Sequence, residues 1–307
     1  MSERIAFTAL TASDREPIAR LLHRALVHWY ESRLGQGSRF GDSHEPFTLF
    51  PDVYEALDPG ECVTARTASG EIVGVCFSHE RETHVSIGIV ATSPDAGGRG
   101  IAKKMMLLVL DKAQRLGKPA RLVSSLLNLD SFSLYTRLGF IPGAMFQDLL
   151  ITVPETGLAA TAPAGIESVR DAVLADAPRI SDFEHAQQGI RREKDFAFFI
   201  RNEVGAWRVL VSEASDGSVN GFLAMRVHRS RRSWLGIAAS RAASSSSVHF
   251  AAMGRIICVQ LGFCTAGRHT SSMYLDQRRN SCRSKGSSGS VTTIAERIGS
   301  NRFAGCG

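Results

Sequence analysis

The segment Ser93-Pro94-Asp95-Ala96-Gly97-Gly98-Arg99-Gly100-Ile101-Ala102 constrains this chain more than any other. Before it, His84 to Val90 alternates Val85, Ile87 and Ile89 with His84, Ser86 and Gly88, the period of a half-buried strand. After it, Ile101, Met105, Leu108, Val109 and Leu116 recur at helical spacing, and Gly117 and Pro119 stop the pattern. A strand thus passes through a glycine-rich turn into a helix N-terminus, where backbone amides and the positive dipole end attract an anion such as a pyrophosphate. Glycine-rich loops are common, so this one names no enzyme alone. Gly88 marks an expected bulge in the strand before it.

The flanking segments extend the alternation of elements. Ile5 to Leu10 reads as a strand, Ser13 to Glu16 as a helix entry, and Ile18, Leu21, Leu22, Ala25, Leu26 and Trp29 as the apolar stripe of a helix. Phe47 to Leu57 gives a second short helix, and Cys62–Thr67 and Ile72–Ser78 form a hairpin across Ser69-Gly70-Glu71. Ala120 to Leu126 is a strand, Leu129 to Leu138 a helix ended by Gly139, and Phe140 with Gln147 to Val153 supplies closing strands. The fold class expected is α+β, helices packed on a mixed sheet.

Residues 154–164 are a small-residue linker, and residues 165–225 repeat the first five elements in outline. They run through a strand at 166–169, helices at 172–188 and 193–202, and strands at 207–213 and 219–224, with no second glycine-rich loop. Beyond Met225 the composition changes. Residues 226–307 hold 13 Lys and Arg against two acids, Asp276 and Glu296, whereas residues 1–225 hold 23 basic and 28 acidic residues. The overall charge of +6 therefore comes from a basic, serine-rich tail that is expected to be poorly ordered, resembling disorder or translation in another frame. No aromatic platforms accompany its arginines, so sequence-specific nucleic-acid binding is not expected.

No apolar run is long enough for a membrane span, and Met1-Ser2-Glu3-Arg4 does not open a signal peptide, so a cytoplasmic protein without a membrane partner is expected. Cys62 and Cys76 fall in apolar strands and read as reduced core thiols; no metal site is expected. A dinucleotide-binding enzyme would need Gly-x-Gly-x-x-Gly after the first strand, and a P-loop would need Lys-Ser/Thr after the glycines; neither occurs.

A second segment adds to the loop: Asn128-Leu129-Asp130-Ser131-Phe132-Ser133-Leu134-Tyr135-Thr136-Arg137-Leu138-Gly139-Phe140. Asn128 caps its helix, and Tyr135 alone would pass for an ordinary amphipathic-helix residue. Together, the two segments and the element order resemble the GNAT superfamily of acyl-CoA N-acyltransferases over about residues 3–153, with an incomplete second copy at about 165–225. In that family a loop of the form Arg/Gln-x-x-Gly-x-Gly/Ala binds the CoA pyrophosphate. Gly100 and Ala102 match its last two positions, with Gly98, Arg99 and Ile101 around them, and Gly97 stands where Arg or Gln is usual. The family's Asn, seven-residue, Tyr, Gly-Phe spacing fits Asn128, Tyr135, Gly139 and Phe140.

The resemblance implies acetyl transfer from acetyl-CoA to an amine of a small molecule or a protein, or acyl-CoA binding without turnover. It implies that Asn128 bonds the pantetheine arm, that Tyr135 protonates the leaving thiolate, and that backbone amides of Ile89, Val90 and Ala91 hold the carbonyl oxygen. An acid near the start of the same strand is the base in some members; His84 takes that position here, with Glu80 and Glu82 as competitors.

Overall fold

The computed structural model describes residues 4–147, 165–226, 235–240 and 271–277, the last two segments and residues 144–147 by their backbone alone. The first sheet begins with β1 (Ala6–Ala9). α1 (Arg15–Leu34) follows, entered through a short 3-10 turn in which Asp14 accepts the Thr11 amide at 2.7 Å and Arg66 at 2.5 Å. The entry lies at Thr11 and Asp14, not at Ser13, because Asp14 is buried and its carboxylate joins helix to sheet. Ile18, Ala19, Leu21 and Leu22 bury the helix against the sheet, and Gly35 ends it in the left-handed region at φ 63°.

After α2 (Leu49–Leu57) come β2 (Val63–Arg66), β3 (Ile72–Glu80) and β4 (Val85–Thr92), with β1–β2, β2–β3 and β3–β4 paired antiparallel. α3 (Ile101–Leu116) crosses to β5 (Ala120–Ser125), which runs parallel to β4. Its buried stripe is Ile101, Met105, Met106, Val109 and Ala113; Leu108 and Leu116, expected in that stripe, face solvent. α4 (Leu129–Arg137) and β6 (Ile141–Gln147) follow, so a strand begins just after Phe140. The rest of the expected strand, to Val153, and the linker lie outside the described residues.

The second unit contains β7 (Val169–Asp171), α5 (Asp176–Gln188), α6 (Glu193–Arg201), β8 (Trp207–Glu213) and β9 (Val219–Arg226). Phe183, Phe196 and Phe199 from its helices pack on Val209, Val211 and Phe222 of its sheet. Asp176 accepts both Arg170 and Arg179, which also reach Glu213, and closes one end of that sheet.

Two segments of the basic stretch after Met225 are described, both as strands. β10 (Leu235–Ser240) pairs with β9, and β11 (Ser271–Gln277) enters the first sheet between β5 and β6, antiparallel to both. The first sheet has the order β1-β2-β3-β4-β5-β11-β6, and the second β10-β9-β8-β7. Among the described residues β6 thus joins its sheet through a strand from the far end of the chain. Alternating Met273 and Leu275 with polar Ser272 and Asp276 give this segment a strand pattern inside a composition that masks it.

Candidate functional site

Two features of β4 determine what the site can do. Cys76 pairs with Val90, but Ser78 pairs with Ile87, so Gly88 and Ile89 together oppose Phe77. This is the bulge that the glycine signals. On its other edge β4 pairs with β5 only from Val85 to Ile87, opposite Ala120 to Leu122. Past Ile87 the two parallel strands separate, and the amides of β4 around Ile89, Val90 and Ala91 that point toward β5 leave the ladder.

The glycine-rich loop sits at the same end of β4. Gly98 and Gly100 have φ of 73° and 70°, a region that other residues rarely enter, and neither backbone has a neighbour where a side chain would begin. Gly97 has an ordinary φ of −57°, and a Cβ there would meet the Pro94 carbonyl at 3.2 Å. Helix α3 has no side-chain cap and no acid in its first turn. Its first bond runs from the Lys104 amide to the Gly100 carbonyl, so the amides of Ile101, Ala102 and Lys103 have no partner within the helix. A diphosphate fits such an end. The donors, the open glycine backbone and the basic residues Arg99, Lys103 and Lys104 are all of the sign and size it needs.

On the face of the sheet covered by α3, Tyr135 is buried in a cluster with Cys76, Val85, Ile87 and Met105. Its ring meets Phe140 edge-on at 6.0 Å. Burial, and then the neighbouring Cys76, pushes the phenol up to about 12, against a hydrogen bond with Ser131. The same burial pushes the Cys76 thiol up to about 12. A thiolate formed in this place would be raised in the same way, so the phenol's proton can still pass to it. Asn128 caps α4, its Oδ1 accepting the Ser131 amide at 3.0 Å.

Helix α1 straps both segments. Arg24 pairs with Asp95 in the loop, while Trp29 and Arg33 donate to Asp130 in the first turn of α4, at 3.3 and 3.0 Å. Between these ties lies a groove of about 490 Å³ lined by His23, Arg24, Val27, His28, Glu31 and Ser32.

His84 is not brought to this place. It precedes β4 at the end where β4 and β5 are still paired, seven residues from Ala91, a span of about 20 Å along a strand. It is buried, with Thr83 Oγ1 3.0 Å from its Nδ1. Burial first, then the charges of Arg121, Arg192, Arg81 and Lys118, depress it to about 3. A ring so reluctant to take a proton is a poor base at neutral pH, and the role expected for it does not match its position. Glu80, at the same end, is engaged by Lys118 at 2.7 Å.

The depressed His84 predicts an acid limb in stability. The unfolded chain takes up this proton near pH 6.5, the native one only near 3, so stability falls as pH drops through that window. The limit is on the order of 4–5 kcal/mol. Urea unfolding of wild type and His84→Gln between pH 6.5 and 4 should show a shallower loss for the variant; equal slopes would contradict it.

A histidine that sequence reasoning passed over lies closer. His79 continues the inward face of β3 set by Val75 and Phe77, and a histidine at an inward position of a strand was the available signal. It is buried, its Nδ1 lies 2.6 Å from Asp58, and its ring meets Tyr54 of α2 edge-on at 4.7 Å. Among the described residues no group of three or more His, Cys, Asp or Glu is placed to hold a metal ion, and no helix is long and apolar enough to cross a membrane.

Comparison with known proteins agrees with the geometry. Comparison with curated proteins finds no significant match. The fold is shared with a protein of Pyrococcus horikoshii titled a "putative acetyltransferase", at a TM-score of 0.60 and 16% identity over 90% of each chain. It is shared too with a GCN5-related N-acetyltransferase of Sphaerobacter thermophilus, at 0.56 and 13% identity over 90% of this chain and 96% of that one. Residues 23–140 match the Acetyltransferase (GNAT) family. The stretch that carries the β4 bulge, the glycine-rich loop and Tyr135 thus matches the Acetyltransferase (GNAT) family model and has the fold of those acetyltransferases.

Proposed function

We propose that the chain is an N-acetyltransferase that moves an acetyl group from acetyl-CoA to an amine of a small molecule or a protein. The observation that carries this reading is the β4 bulge facing the unpaired gap to β5, with the glycine-rich helix entry at one end and Tyr135 beside it. In this reading the amides of Gly98 to Ala102 receive the diphosphate, and Gly97 costs a side-chain contact but no amide. Asn128, with Oδ1 in the cap, offers its NH2 group to the pantetheine arm. Acetyl-CoA supplies an activated acyl group.

The chain's own residues do the rest. Amides around Ile89, Val90 and Ala91 take the negative charge that builds on the carbonyl oxygen, where they act most strongly because they are fixed in advance. The amine nitrogen bonds to the carbonyl carbon, the carbon–sulfur bond breaks, and Tyr135 gives its proton to the sulfur. The α1 groove is the acceptor's place, polar at His28 and Glu31 and apolar at Val27.

We take residues 165–226 with β10 as a partial second copy of the same plan, since β7, α5, α6, β8 and β9 repeat the order of β1, α1, α2, β2 and β3. It lacks a second glycine-rich loop, so its part is structural. A reducing, cytoplasmic address suits the buried free thiols of Cys62 and Cys76.

The experiment is CoA release from acetyl-CoA in the presence of a panel of amines and peptide N-termini, with the acetylated product weighed by mass spectrometry. Product and CoA in equal amounts are expected. Acetyl-CoA binding without release for any amine would favour a binding protein.

A further inference from the structure

The acetyl-transfer reading leaves one proton without a destination, the one the amine sheds as it attacks, and His79 has a buried ring nitrogen without a hydrogen-bond partner beside the β4 bulge. Asp58 accepts hydrogen bonds from His79 Nδ1 at 2.6 Å, from Arg81 at 2.8 and 3.0 Å, and from Lys194 of α6 at 2.9 Å. Those bonds outweigh burial and hold its carboxyl well below the usual carboxylate range, so it is an acceptor only. The ring proton of neutral His79 must then sit on Nδ1, and Nε2 carries the lone pair. Nε2 is buried and has no hydrogen-bond partner. An orphaned acceptor of this kind costs on the order of 1–3 kcal/mol, which folding alone gives no reason to keep.

Its direction is informative. A side chain begun at Gly88 would meet His79 Nε2 at 3.5 Å and Tyr54 Cε2 and Phe77 Cβ at 3.3 Å. Glycine at the β4 bulge lets the imidazole lie against the backbone, one residue before Ile89, where a Cβ would crowd Phe77 and Tyr54. Tyr135 approaches the same stretch of β4 from the opposite face, through Cys76, the partner of Val90. The sheet thus carries an imidazole acceptor on its α2 face and a phenol donor on its α3 face.

We infer that His79, oriented by Asp58, takes the proton of the attacking acceptor amine at the Gly88 bulge, and that the second unit holds this pair in place through α6. This rests on the acyltransferase reading above. Bond by bond, the N–H electrons stay on nitrogen as the N–C bond forms, His79 Nε2 gains the proton, and Tyr135 loses one to sulfur. Solvent returns a proton from imidazolium to phenolate, so nothing is consumed beyond amine and acetyl-CoA. Lys194 donates to Asp58, and Arg81 spans Asp58 and Asp195 at 2.8 and 2.5 Å, so α6 completes the orienting network. The charged and titratable groups facing His79 are Asp58 and Arg81, Tyr54 of α2, and Lys194 and Asp195 of α6, while Lys112 of α3 acts on Asp58 from the other side.

The test is the pH profile of kcat/KM for a turned-over amine, in wild type, His79→Gln and Asp58→Asn. His79→Gln should lose 50-fold or more in kcat, keep the KM for acetyl-CoA within threefold, and show a residual rate that climbs about tenfold per pH unit as hydroxide substitutes. Asp58→Asn should lose tenfold or more per native molecule, because its amide would donate to Nδ1 and force the proton onto Nε2; this tests the same point should His79→Gln not fold. A variant with wild-type rate and profile overturns the inference, as does loss of acetyl-CoA binding in step with activity. Absence of CoA release by wild type would overturn the acyltransferase reading and this inference with it.

Discussion

Tyr135→Phe is expected to lower kcat for CoA release by about 10²-fold while leaving the KM for acetyl-CoA within threefold. The substitution removes one oxygen and little else. The ring stays in its cluster and keeps its edge-on contact with Phe140, so a loss of fold does not confuse the result. The hydroxyl matters because a thiolate expelled into this apolar interior has no water to stabilise it, and the phenol, held protonated up to about 12, is the donor at hand. A kcat that falls without a change in KM indicates an interaction made on the way to the transition state. A variant that turns over within threefold of wild type would remove Tyr135 from the chemistry.

Ending the chain at residue 226 is expected to cost most of the stability of the first unit, although every residue of the proposed site would remain. β11 pairs along both edges, with β5 from Ser272 to Gln277 and with β6 from Ser271 to Asp276. Without it the backbone groups on the facing edges of β5 and β6 lose their partners, and β6 loses its one neighbour among the described strands. Each lost backbone bond is worth about 1 kcal/mol, against a total stability of about 5–15 kcal/mol, so a seven-residue strand bonded on both sides is decisive. The truncated chain should aggregate or melt at least 15 °C lower in circular dichroism, with α4 and Tyr135 loosened because they lie between β5 and β6. A chain ending at 280, which keeps β11, should melt well above the chain ending at 226. Equal melting of the two truncations would show that β11 contributes nothing.

The first unit was largely legible in the sequence because its signals are local. Gly35, Gly100 and Gly117 end or begin helices where a left-handed backbone is needed, and Gly88 marked its bulge. The errors came where tertiary contacts decide. In α3 the sequence offers Leu108 and Met106 on neighbouring flanks of the stripe, and only the sheet beneath selects Met106. β11 was hidden because its partners lie more than 120 residues away and its surroundings are basic and serine-rich.

The site divided in the same way. The loop and the Asn128 to Tyr135 segment are sequence features, and each opens a helix, α3 and α4. The histidine was not legible, since position along β4 said nothing of burial: His84 lies under four positive charges, while His79 is bound to Asp58 21 residues earlier in the chain. The rest of that network, Lys194 on Asp58 and Asp195 on Arg81, comes from a different unit altogether.

Titrating the full-length protein with acetyl-CoA while following its thermal unfolding tests the central claim most directly. A ligand that binds only the native state raises its stability by about 2.7 kcal/mol at a hundred times its Kd. Acetyl-CoA and desulfo-CoA should both raise Tm, NAD should not, and Gly100→Val, whose strained left-handed backbone also lowers the unliganded Tm, should abolish the shift. Stabilisation by NAD but not by acetyl-CoA would contradict the account.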